Sequence, residues 1–107
     1  MNSRYTPPEP TDGHDAMGLA ALERLIDIAK RDTGQSKRVA EFLLAWWNAS
    51  SCGSFDLTNL WGVDTEIMLD MTTVFGFIGR VRSYPDSLGY ESDFKEIVRA
   101  WRPKSSE

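Results

Sequence analysis

Between Ile67 and Val81 the apolar residues Ile67, Met71, Val74, Phe75, Ile78 and Val81 recur at α-helical spacing over about four turns. This periodicity is the tightest constraint on what the chain can fold into. Its middle, VFGFIGRV, is rich in β-formers, but a strand explains only those residues, whereas a helix also explains the positions before them. Gly76 and the adjacent threonines Thr72 and Thr73 depress helix propensity, so packing has to hold this helix. It is expected to start behind Asp64 as N-cap, with Thr65 and Glu66 in the first turn, where negative charge meets the helix dipole favourably, and to reach about Ser83.

The same spacing appears in three other segments. From Ala16 to Arg31 it is carried by Leu19, Leu22, Leu25, Ile26 and Ala29, with Asp15 as the expected N-cap and Thr33-Gly34 marking the end. Asp32 followed by Gln35 resembles a capping box, although Ser36 is an alternative opening of the next helix. That second helix, about Gln35 to Asn48, has a stripe of Val39, Phe42, Leu43 and Trp46, widened by Ala40, Leu44 and Trp47. The last, Glu91 to Arg102, carries Phe94, Ile97, Val98 and Trp101 and stops at Pro103. Gly53 allows a tight exit from the second helix, and SYPDSLG is a turn. Between them Phe55, Leu57, Leu60 and Trp61 form the packed side of a short helical turn that Asp56 can cap. The expected fold is all-α: a compact irregular bundle of four principal helices plus one short helical element, spanning 16–103. Residues 1–15, with Pro7, Pro8, Pro10 and Gly13, are expected to be a flexible tail, and 104–107 a flexible end.

At 107 residues, 41% of them hydrophobic, the chain fits one domain with a modest core. A net charge of -4 opposes a protein whose main task is to wrap a phosphate backbone. A single cysteine excludes an intrachain disulfide, no apolar run approaches the roughly 20 residues that cross a bilayer, and the first residues lack a signal-peptide core. A cytoplasmic, non-membrane protein is expected.

Chemistry is weakly encoded. Cys52 in SSCGS lies near the C-terminal end of a helix, where the dipole disfavours a thiolate, and the only histidine, His14, sits in the expected tail. Asp12, His14 and Asp15 are capable metal ligands without a defined geometry. Neither GQSK nor GFIGRV completes a phosphate-binding motif. Glu66 and Asp70 share a helix face, but a first-turn acid and a solvated acid explain them without catalysis. No enzymatic activity and no metal or cofactor are therefore expected.

Recognition residues stand out more clearly. Residues 51–79 contain Asp56, Asp64, Glu66 and Asp70 and no Lys or Arg, an acidic window suited to a basic protein surface. Trp46 and Trp101 belong to packed stripes, whereas Trp47 is turned about 100° from Trp46 and Trp61 sits in the short element beside the window. Trp47, Trp61, Asp64, Glu66 and Asp70 are thus the expected partner-binding residues, for another protein or a second copy. Arg80, Arg82, Lys95, Arg99, Arg102 and Lys104 offer a nucleic-acid surface as an alternative, disfavoured by the interspersed Asp86, Glu91, Asp93 and Glu96.

The segments LIDIAKRDTGQSKRVAEFLLAWWNA, CGSFDLTNLWGVD and RSYPDSLGYESDF together resemble an uncharacterised family of small helical proteins found in bacterial genomes and mobile elements, over roughly residues 17 to 103. The resemblance implies a compact helical domain in a bacterial or phage setting. It also makes an inhibitor of a host defence complex a further alternative role.

Overall fold

The computed structural model describes residues 13–102, with side chains from Asp15 onward. Four helices, Gly13–Ala29 (α1), Gly34–Cys52 (α2), Thr65–Val81 (α3) and Glu91–Trp101 (α4), are joined with 3-10 turns at Leu57–Gly62 and Pro85–Leu88. This is the expected all-α bundle. VFGFIGRV is helical throughout, and there is no strand among the described residues. Residues 1–12 and 103–107, including Asp12 of the candidate metal ligands and most of both expected tails, lie outside the described residues, as does the side chain of His14.

α1 and α3 share the broadest packing contact, α2 crosses α1, and α4 closes the bundle against α2. The core is Leu22 and Leu25 of α1, Val39, Leu43 and Leu44 of α2, Met71, Val74 and Phe77 of α3, and Phe94 and Ile97 of α4, each no more than 2% exposed. Two stripe assignments from spacing are corrected: Leu19 of α1 is 37% exposed, and Phe75, expected inside, is 68% exposed, with Phe77 taking its place at 2%. At 100° per residue, Phe75 and Phe77 lie about 80° to either side of the 67/71/74/78/81 stripe, so periodicity does not choose between them. Gly18 of α1 does, because it leaves room for a ring. A Cβ at Gly18 would stand 2.7 Å from Phe77 Cγ and overlap Cδ1.

Helix ends differ from expectation for local reasons. α1 begins at Gly13, so Asp15 lies in its first turn, where it pairs with Arg80 at 3.6 Å, and is not the N-cap. α2 is capped by Thr33, whose Oγ1 accepts from Ser36 N at 3.0 Å. The Asp32/Gln35 capping box does not form; Gln35 Oε1 instead accepts from Asp64 N at 2.6 Å. α2 continues past Asn48, where the backbone breaks (φ -161, ψ 84) and Asn48 Oδ1 accepts from Ser51 N and Ser50 Oγ, restarting one turn that ends at Cys52. α3 stops at Val81 because Arg82 turns into the left-handed region (φ 53, ψ 40), its N–H donating to Ile78 O.

Candidate recognition surfaces

The short element between α2 and α3 is built from its own cap outward. Asp56 Oδ1 accepts from Thr58 N at 2.9 Å and from Thr58 Oγ1 at 2.8 Å, contacts that hold its carboxyl below the ordinary range. Asn59 ties the element to α2, accepting from Arg38 Nη1 at 2.7 Å and donating to Glu41 at 3.2 Å. The Arg38 guanidinium lies over Gly62, where a Cβ would stand 2.9 Å from Nη2. Phe55 packs edge-on against Phe42, ring centroids 5.2 Å apart. A segment pinned in this way presents Leu57 at 69% exposure and Trp61 at 85%. The expectation that both lie on a packed side is corrected: of the apolar residues there, Phe55 and Leu60 face the core. Leu57 instead lines, with Leu60, Phe42, Phe55, Met71 and Phe75, an apolar groove of about 220 Å³.

The acids of the window divide. Asp64 occupies the N-cap of α3, but its side chain makes no cap hydrogen bond; its Oδ2 receives a long contact of 3.4 Å from Gln35 Nε2. Glu66 is exposed in the first turn. Asp70 is engaged within the fold, accepting from Arg24 Nε at 2.9 Å and Nη2 at 2.8 Å in a bidentate pair between α3 and α1. Those hydrogen bonds, and the attraction behind them, raise the guanidinium's pKa further. The Glu66/Asp70 pair on one helix face is therefore split, one acid toward solvent and the other in an ion pair.

The four indoles separate by what their N–H groups do. Trp46 Nε1 donates to Ser83 O at 3.1 Å and Trp101 Nε1 to Ala29 O at 2.7 Å, so both close the fold. Trp47 and Trp61 have no hydrogen-bond partner among the described residues. Trp47 is half-buried, its ring edge-on to Phe94 with centroids 5.7 Å apart. It lies away from the acidic window. On one side it borders a cavity with Lys95 and Arg99, and on the other a hollow with Tyr84 and Asp86. The structure thus brings Trp61, Asp64 and Glu66 together as neighbours along one connection and places Trp47 at the opposite end of α2.

The remaining candidates are mostly engaged internally. Cys52 is buried and its carbonyl accepts from Arg102 Nε at 3.0 Å. Arg102 also approaches Glu41 at 3.9 Å, while Arg82 and Arg99 are exposed. Among the described residues, no helix is long and apolar enough to cross a membrane, and no group of three or more His, Cys, Asp or Glu is placed to hold a metal ion.

Compared with known proteins, residues 19–102 match the model of a family of unknown function, DUF7673. The chain belongs to this family. Neither a curated protein nor a solved structure matches it. The family match covers all four helices except the first turns of α1, so the pinned 3-10 element and both partnerless indoles fall within the family's domain.

Proposed function

We propose that this member of DUF7673 is a non-enzymatic, cytoplasmic protein-interaction module that docks through the element between α2 and α3. The observation that carries this reading is Trp61: an indole 85% exposed, with an N–H that has no partner among the described residues, on a backbone held by Asp56, Asn59 and Arg38. An exposed ring on a rigid base loses little entropy on binding and brings a large apolar area with a polar handle. Leu57, Phe75 and the groove between them extend the apolar contact, and Asp64 and Glu66 select a basic rim. Asp70 supports this face through its pair with Arg24 and is not a contact of its own. The nucleic-acid alternative is weaker, because Arg80 pairs with Asp15 and Arg102 donates to the Cys52 and Trp101 carbonyls. The bacterial, mobile-element setting implied by the sequence resemblance fits an accessory protein or an inhibitor of a host defence complex acting through this surface.

The test compares wild type with Trp61→Ser. The variant is expected to melt with wild type and to lose roughly 30-fold or more in affinity for a partner retained from a native bacterial extract, the scale of a hot-spot ring. Sedimentation of the purified chain distinguishes a second copy from a different protein. Equal retention of the same proteins by both forms overturns the assignment, and a large loss of melting temperature returns Trp61 to the core.

A further inference from the structure

We infer that the cavity between the C-terminal end of α2 and the Lys95/Arg99 flank of α4 is a binding site for a small aromatic anion, separate from the Trp61 surface. It holds about 420 Å³ and is lined by Trp47, Asn48, Ser51, Cys52, Lys95, Val98 and Arg99. That volume is at the lower end of the range of small-molecule sites and suits a ligand of one or two rings.

The lining is divided by chemistry. Trp47 supplies a half-buried aromatic wall, steadied from behind by Phe94, and Val98 and Cys52, 9% and 8% exposed, form a closed apolar floor. Lys95 and Arg99, four residues apart on α4, share one helix face and stand on the rim. No carboxylate lines the cavity. The acid nearest in the interaction network is Glu91, which holds Lys95 Nζ at 3.2 Å in an exposed pair; Glu96 is drawn away to Lys30 at 3.3 Å, and Arg99 has no ion-pair partner among the described residues. On a chain of net charge -4, a rim whose Lys95 is shared with Glu91, whose Arg99 has no ion-pair partner among the described residues and whose lining holds no acid is a local inversion of sign. An apolar floor with an aromatic wall recognises a flat ring, and a planar guanidinium beside it recognises a carboxylate. The Asn48 break forms the remaining wall. By ending the regular helix at Asn48 and restarting one turn, it sets the Asn48 and Ser51 side of the cavity opposite α4.

The probes are 2-naphthoate and its neutral isostere 2-naphthamide, titrated into the full-length, ¹⁵N-labelled chain at low salt, where rim charges are least screened. A ligand of this size is expected to bind with Kd about 1 mM. The Trp47 indole N–H and the amides of residues 48–52 and 95–99 should shift with naphthoate, and naphthamide should bind roughly 10-fold more weakly. Lys95→Gln/Arg99→Gln, both exposed positions, is expected to keep the wild-type melting temperature and to bind the two probes equally. Glu91→Gln, which releases Lys95, should tighten naphthoate alone. Trp47→Leu should lose both probes, but the inference does not depend on that variant folding. It is overturned if neither probe shifts the Trp47 indole at about 10 mM, if the acid and the amide bind wild type equally, or if the shifts map elsewhere.

Discussion

Two phenylalanines two residues apart on α3 should respond oppositely to the same deletion. Phe77 is 2% exposed and rests against Gly18, so Phe77→Ala removes a ring from a packed interior, a change that costs about 3–5 kcal/mol. For a domain of this size, roughly 4–8 °C is lost per kcal/mol, which gives a fall of at least about 12 °C. Phe75 is 68% exposed, and Phe75→Ala should remain within about 0.5 kcal/mol of wild type, helped by the higher helix propensity of alanine. The assay is urea unfolding followed by far-UV circular dichroism at 25 °C, comparing midpoints at constant slope. Gly18→Ala supplies the complementary test: its Cβ would intrude on Phe77, costing about 1–3 kcal/mol. Phe77→Ala removes the Cγ and Cδ1 contacts but keeps the Cβ that would stand 2.8 Å from the added methyl group, so Gly18→Ala/Phe77→Ala should be more stable than the two single losses added together without relieving the whole cost of the Gly18 change. Equal losses for Phe75→Ala and Phe77→Ala, or strict additivity of the Gly18 and Phe77 changes, would refute the packing argument.

Two further outcomes follow from single contacts. Thr33→Ala removes the Oγ1 that accepts from Ser36 N and should cost about 1 kcal/mol in thermal or urea denaturation, whereas Asp32→Ala, outside the cap, should cost much less. The Tyr90 phenol is pushed up to about 12, first by burial and then by its hydrogen bond to Glu23 at 2.9 Å. Ultraviolet titration should therefore show one phenol ionising well above the ordinary value near 10. Because the folded pKa is the higher one, the native state keeps its proton longer. Stability from this group is complete below pH about 10 and declines as pH rises from there toward 12. Glu23→Gln should move that titration downward; an unchanged titration would show that the hydrogen bond contributes nothing.

Part of the indole arrangement was legible from spacing alone. Trp46 and Trp101 lie on their apolar stripes and do close the fold, whereas Trp47, at the edge of the α2 stripe, and Trp61, expected on a packed side, keep their N–H groups without partners among the described residues. Asp56 beside a short apolar cluster was legible as a cap because capping is local. The capture of Asp70 by Arg24, 46 residues away, was not, since no local rule brings α1 to that turn of α3. The same holds for Trp47 and the Lys95/Arg99 rim, which meet only because α4 packs across the end of α2. Leu57 departs from its expected packed position because the 3-10 turn is held by the polar contacts of Asn59 and Arg38, so its apolar side chains do not all have to be buried.

The sequence by itself determined the four helices and most of their apolar stripes, because helical periodicity acts within a few residues of the chain. Which flank of a stripe turns inward was left to the tertiary structure. Phe75 and Phe77 sit symmetrically about the apolar centre of α3, and the bare backbone of Gly18 on α1 leaves space on the Phe77 side. The same packing decides which charges are neutralised across helices and which rings reach solvent, since both depend on neighbours distant in the chain.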